Sequence, residues 1–145
     1  MDKQLFIAAA ERHCALHGCK LTALRREVLE LVLQYAGVVK AYQVLADLQK
    51  QRGAAAAPPT VYRALDFLVA QGLLHRVEAL NGFVVCDHFG CQHESLFLVC
   101  GDCGAIEEID AAPCLSVLGE LTKALGFSVH PQNMVLTGTC KHCLQ

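Results

Sequence analysis

Tryptophan is absent from this chain of 145 residues, aromatic side chains make up only 6% of it, and prolines number 4. An aromatic-rich ligand platform is therefore not expected. No apolar run approaches the roughly 20 residues that a membrane-spanning helix needs. The opening Met1-Asp2-Lys3-Gln4 has no basic segment leading into an apolar stretch and a cleavage site, so no secretory signal is read and a cytoplasmic setting is expected. Charge is sparse at 18%, while 54% of the residues are hydrophobic, ample for a core and contrary to disorder. The length suits one ordinary domain or two small ones.

Cysteine is what the chain has in excess, with 9 in all. In a reducing compartment these are expected as thiols or metal ligands, not as a disulfide framework, and the odd count fits poorly with complete pairing. Net charge is −2, which alone gives no reason to expect a nucleic-acid partner. Its distribution says more. Residues 1–80 hold 10 Lys+Arg against 7 Asp+Glu, whereas residues 81–145 hold 2 against 7. Cys14 and Cys19 are the only cysteines before residue 80. A mildly basic half is joined to an acidic, cysteine-rich half, so two modules are expected: 1–84 and 85–145.

The first module has helical periodicity. Leu5, Phe6, Ala9, Ala10 and Leu16 mark a helix over 3–17, stopped by Gly18. Leu24, Val28, Leu31 and Val32 make one stripe of a second, with Thr22 as its N-cap. Ala41 to Lys50 is a third, with Val44, Leu45 and Leu48 inward. Residues 53–59 connect to Pro58–Gly72, where Val61, Leu65, Leu68 and Val69 form the inward stripe and Thr60 is a candidate cap. Thr60, Tyr62, Arg63 and Asp66 lie off that stripe. An exposed first turn bearing hydroxyl, phenol and guanidinium groups suits a DNA major groove: arginine can pair with guanine, and threonine and helix amides can take phosphate. An ordinary surface helix has the same periodicity, but a hairpin follows. Leu73–Glu78 and Phe83–Cys86 are strand-like runs around Asn81-Gly82. Helices followed by a hairpin make a winged helix, with Arg76 where a wing could touch phosphate.

A two-residue turn would set residue 75 opposite 88, and a four-residue loop would set it opposite 86. Both place His75, Cys86 and His88 on one face. Further on, Cys100-x2-Cys103 and Cys140-x2-Cys143 are two matched pairs separated by 36 residues. Two such pairs complete a closed tetrahedral zinc–sulfur site of structural type. Between them a strand is expected over 105–109, a helix over 112–125 and a strand over 134–139. Asp87, His88, Cys91, His93, Glu94, Glu107, Glu108 and Asp110 offer donors for a second, mixed site joining the hairpin to the rear module.

In combination these stretches resemble the ferric uptake regulator superfamily, and within it the zinc uptake regulator branch. The matching stretches are Leu21-Thr22 with Arg25, Pro59-Thr60-Val61-Tyr62-Arg63-Ala64-Leu65 with Gly72, Cys100-x2-Cys103-Gly104, Gly126-Phe127, and Gly138-x-Cys140-x2-Cys143. The resemblance implies an α+β protein with an N-terminal winged helix-turn-helix domain and a small C-terminal α/β dimerisation domain. It implies a homodimer on double-stranded operator DNA that represses metal-uptake genes when metal-loaded. It assigns Cys100, Cys103, Cys140 and Cys143 to a structural zinc, and His75, Cys86, His93 and Glu108 to a regulatory zinc, two ions per chain. Tyr42 and Arg63, with Thr60 and Tyr62 beside them, would face DNA. The chain departs from the family at Ala23, where a proline is usual, and at Glu94-Ser95-Leu96-Phe97, which replaces the histidine-rich run of iron sensors. Pro131-Gln132-Asn133 stands where many members carry a histidine, so a third metal site of the usual kind is not expected; His88 and Cys91 remain candidates for a different one.

Other donors have bland readings. His13 and His17 are expected to be exposed, Cys14 and Cys19 semi-buried, Cys114 in the core and Asp66 solvated or ion-paired. Alternatives to a zinc-responsive repressor are an iron, nickel or peroxide sensor, a zinc hydrolase using Glu107 or Glu108 as base, and a zinc-storage module. No H-E-x-x-H or deaminase signature accompanies the hydrolase reading, and neither a membrane nor a small-molecule substrate is expected as a partner.

Overall fold

A computed structural model describes residues 2–53, 56–90, 93–129 and 133–145. The chain forms two compact units, Met1–Gly90 and Cys91–Gln145.

Four helices and a hairpin build the first unit. Helix α1 (Lys3–Leu16) starts at Asp2, whose carboxylate accepts from the amides of Gln4 at 2.9 Å and Leu5 at 3.3 Å. Helix α2 (Ala23–Val32) starts at Thr22, whose hydroxyl accepts from the Arg25 amide at 3.4 Å. Helix α3 (Ala41–Arg52) starts at Lys40, whose amide donates to Gln43 Oε1 at 2.8 Å. Helix α4 (Pro58–Ala70) is capped by Ala57 and carries its two prolines in the first turn, where the missing N–H groups have no intrahelical use. Thr60 is therefore not the cap: it lies within the turn, its amide donating to Ala57 O at 3.1 Å.

α4 ends in a left-handed glycine. Gly72 has φ +72°. Leu73 N bonds Leu68 O and Gly72 N bonds Val69 O, both at 2.9 Å. This Schellman pair satisfies carbonyls the helix would otherwise strand. The apolar faces converge on one core: Phe6, Ile7, Ala10 and Cys14 from α1, Val28, Leu29, Leu31 and Val32 from α2, Val44 and Leu48 from α3, and Val61, Ala64, Leu65 and Leu68 from α4. Ala64 takes the fully buried place expected of Val69, which is half-buried.

Strands β1 (Leu74–Val77) and β2 (Gly82–Val85) pair antiparallel, with His75 opposite Val84 and Val77 opposite Gly82. The register corrects both expected forms of the hairpin. Asn81 and Gly82 are not a two-residue turn. A 3-10 turn at Glu78–Leu80 fills the loop, Asn81 closes it at φ 48°, and Gly82 is already strand. Val39 and Phe83 add a backbone bridge at 2.8 and 3.0 Å. A Cβ at Gly82 would lie 2.8 Å from Val39 O and clash with the Val38 side chain, so this close approach selects glycine.

The second unit is a three-stranded sheet in the order β4–β3–β5, formed by β3 (Ser95–Cys100), β4 (Ile106–Asp110) and β5 (Met134–Gly138). β3 runs antiparallel to β4 and parallel to β5. Helix α5 (Ala112–Lys123) lies in the connection from β4 to β5. It buries none of its residues, and Cys114, expected in the core, is exposed. The helix has an apolar face but nothing within the described residues to cover it. No described helix is long and apolar enough to cross a membrane.

Candidate metal centre and nucleic-acid face

The end of β3 presents Cys100, and a tight turn through Gly104 (φ +73°) brings Cys103 back toward it, Gly104 N bonding Cys100 O at 3.0 Å. Parallel pairing sets Cys100 opposite Gly138 at the end of β5, and Gly101 N bonds Gly138 O at 2.9 Å. Cys140 follows directly, and Cys143 N returns to Cys140 O at 2.9 Å. Sheet register thus draws two knuckles 36 residues apart to one point, and the four sulfurs lie within 4.8 Å of one another.

These residues fit a tetrahedral zinc. A regular tetrahedron with metal–sulfur bonds of roughly 2.3 Å has edges of about 3.8 Å. Cys103 Sγ and Cys140 Sγ are 3.7 Å apart. Amide donors favour a thiolate here: Cys140 N lies 3.3 Å from Cys100 Sγ, and the amides of Cys140, Cys103 and Asp102 bring Cys100 down from 9.0 to about 6. Hydrogen bonds with Cys140 and then Cys103 push Cys143 up to about 12. Cys100 ionises easily while Cys103 and Cys143 resist, which is the charge problem a dication resolves.

Two further donor pairs stand apart in the chain, one in each unit. In the first, Cys86 N bonds Leu73 O at 3.0 Å, extending the register by which His75 faces Val84. Cys86 is thus a diagonal neighbour of His75 on the same face, as either expected register required. Cys86 is buried and His75 half-buried. In the second unit, Glu108 lies opposite Phe97, two residues from Ser95 on one face of the sheet. Its Oε1 accepts from Ser95 Oγ at 2.6 Å and lies 3.0 Å from His93 Nε2. Glu107 faces Leu98 on the opposite face and is exposed. Strand register therefore separates two glutamates that sequence could not tell apart. Cys91, Pro131 and Gln132 lie outside the described residues; His88 is exposed.

Of the two histidines of α1, His17 is exposed as expected and His13 is less bare than expected. His13 is half-buried, its Nε2 2.9 Å from Gln71 O and its ring 5.5 Å from that of Phe89. Burial raises the Cys14 thiol to about 11. That suits a core residue and not a reactive one.

At α4, Tyr62 is 50% exposed and Arg63 is exposed, while Thr60 is half-buried; Tyr42, in the first turn of α3, is 64% exposed. Tyrosine is enriched at interfaces, where an apolar ring and a polar tip can both be used. Arg25 caps the Phe67 ring, its guanidinium carbon 3.6 Å from the centroid. Asp66, expected to be solvated or ion-paired, is ion-paired, and the partner that sequence did not name is Arg76 of β1. Opposite charges ten residues apart gave no signal until the register was known.

A helical reading head followed by a two-stranded wing, on a chain that also carries a four-thiol centre, defines a winged-helix metalloprotein. The chain belongs to the Ferric uptake regulator family, whose profile matches residues 16–137. It is 38% identical to the zinc uptake regulation protein of Escherichia coli strain K12 over 143 residues, 98% of this chain and 83% of that one. Among solved structures, a zinc uptake regulator complexed with zinc and DNA superposes with a TM-score of 0.88 at 36% identity, covering 99% of this chain and 96% of the other. The crystal structure of holo XcZur matches with a TM-score of 0.81 at 42% identity, covering 95% and 96%.

Proposed function

We propose that this protein is a zinc-responsive transcriptional repressor that acts in the cytoplasm, binds operator DNA as a homodimer and shuts off zinc-uptake genes when zinc is plentiful. The observation that carries this reading is the exposed pair Tyr62 and Arg63 in the second turn of α4, on a chain with a zinc-fitting four-sulfur centre. The similar proteins named for zinc uptake regulation support it.

In this reading Cys100, Cys103, Cys140 and Cys143 hold a structural ion, and His75, Cys86, His93 and Glu108 hold a regulatory one. A thiolate with imidazoles and a carboxylate is a donor set suited to zinc. The shared hairpin face of His75 and Cys86, and the contact between His93 and Glu108, support the assignment. Bound zinc supplies a Lewis-acidic centre that holds its donors at fixed geometry. The chain's own residues carry that order onward. β1 follows α4 through the Gly72–Leu73 cap, and the Asp66–Arg76 pair ties the strand to the helix a second time. Whatever steadies His75 and Cys86 steadies the hairpin, and with it Arg63 and Tyr62. Tyr42, Thr60, Tyr62 and Arg63 meet DNA, with Arg63 reading a base and Thr60 taking phosphate. The uncovered apolar side chains of the second unit, Val117, Leu121, Phe127 and Leu136, are where a second copy packs.

Zinc titrated into protein holding only its structural ion should raise affinity for an AT-rich inverted-repeat duplex; unchanged affinity counts against the switch. Replacing His75 or Cys86 should abolish the zinc response with the fold intact. Replacing Cys100 should damage folding, and equal behaviour of the two classes would overturn the division of roles.

A further inference from the structure

A cleft of about 390 Å³ opens in the first unit between the start of α3, the first turns of α4 and the hairpin. Its polar lining is rich in donors: Lys40, Tyr42, Tyr62, Arg76 and Asn81, with Phe83 as an apolar wall. Glu78 also lines it and is the acidic side chain among the lining residues. Two cations, two phenols and an amide converging on one concavity are the complement of an anion with several acceptor oxygens.

Both cationic side chains are anchored. Lys40 Nζ donates to Leu80 O at 3.4 Å. Arg76 lies over the Phe83 ring, 5.3 Å from its centroid, and pairs with Asp66. Anchoring removes much of the rotamer entropy that a long side chain would otherwise lose on binding. A guanidinium has five N–H donors in a planar fork, so one such group can engage a carboxylate and a phosphate together. Asp66 stands on α4 three residues after Arg63 and four after Tyr62, which puts it beside them on the helix surface.

We propose that this cleft seats a phosphodiester of the DNA backbone, with Arg76 and Lys40 as its cations and Asp66 as the positioning residue that holds Arg76 in place. The proposal rests on the DNA-binding reading above and adds a division of labour to it. Arg63 chooses sequence, whereas Arg76 fixes the depth and angle at which α4 enters the groove. Phosphate contacts position a protein on the duplex but carry no sequence information.

The test uses the full-length zinc-loaded protein, an AT-rich inverted-repeat duplex and a scrambled duplex of the same composition, over a series of KCl concentrations. Arg76→Gln should weaken both duplexes by the same factor. It should also lower the slope of log K against log salt by about 0.9 for each phosphate left without its cation. An unchanged slope, or a loss confined to the inverted repeat, overturns the seat. If Arg76→Gln does not fold, Lys40→Gln carries the same expectation.

Asp66→Asn separates positioning from simple charge. Removing an anion beside DNA should strengthen binding if electrostatics alone acts. The positioning role requires weaker binding, with recovery in Asp66→Glu. Tighter binding by Asp66→Asn refutes that role. If the unsubstituted protein binds neither duplex, the repressor reading fails and takes the seat with it; if it binds and only the slope test fails, the repressor reading stands alone.

Discussion

The two units of this chain are held together by different physics. The first has a conventional interior: every member of the main buried cluster, from Phe6 to Phe83, belongs to it. The second has almost none. Its buried described residues are Ser95, Leu96, Phe97, Cys100 and Ala111, and its one described helix buries nothing. A unit of that size with so little burial does not offset its chain entropy unaided. Sheet hydrogen bonds, a four-thiol centre and, on the dimer proposed above, an apolar face packed against a second copy are what remain to do so.

Metal removal should sharpen this contrast most. A strong chelator should abolish hydrogen-exchange protection across residues 93–145 while residues 2–90 keep theirs, since structural zinc contributes roughly 10 kcal/mol or more to small metal-folded units. Simultaneous loss in both units, or loss in neither, would show that the contrast is only apparent. Leu65→Ala is the reciprocal experiment. Leu65 is fully buried within the first unit, so truncation should cost about 2–5 kcal/mol in denaturant unfolding of that unit and leave zinc content unchanged. Leu121→Asp comes next. Leu121 is 63% exposed in the single chain. A carboxylate there should raise the dimer dissociation constant by on the order of 100-fold in sedimentation equilibrium, while the first unit melts as before. Retained dimer would move the interface elsewhere.

The same contrast governs what the sequence disclosed. In the first unit burial follows periodicity in α2, α3 and α4, so those stripes and the stop at Gly72 were legible; in α1 it does not, because Leu5 and Leu16 are exposed while Ile7 and Cys14 join Phe6 and Ala10 in the core. Exceptions arose where a tertiary contact decided. Asn81-Gly82 has the composition of a two-residue turn, yet Gly82 is required by Val39 crossing above it, which no local pattern reveals. In the second unit the spacing of cysteines was legible because thiolate geometry is local. β3 was not: Ser95–Cys100 is a short apolar run without alternation, and its place as the central strand depends on partners to either side. Cys114 was misplaced for a related reason. The apolar pattern of α5 promised a core, but the surface it faces is not supplied by this chain's described residues. The Cys100–Cys143 set and the His75–Cys86 face followed from spacing and parity, whereas separating Glu108 from Glu107 needed the observed register.

The smallest expected effect gives the finest comparison, because the chain carries the same helix cap in both units. Gly72 ends α4 and Gly126 follows α5, at φ +72° and +67°. Each accompanies the same pair of closing bonds: Leu73 N to Leu68 O and Gly72 N to Val69 O, then Phe127 N to Thr122 O and Gly126 N to Lys123 O. An added Cβ meets nothing within 4 Å at either position, so alanine costs only its left-handed backbone, about 1–2 kcal/mol. Gly72→Ala should lower the first unit's melting temperature by several degrees with or without chelator. Gly126→Ala should lower the second unit's melting temperature, and only in metal-loaded protein, because without metal there is no folded helix end for it to strain. An equal cost for Gly126→Ala in chelated protein would mean that the second unit folds without its metal, and the physical division between the two units would then have to be abandoned.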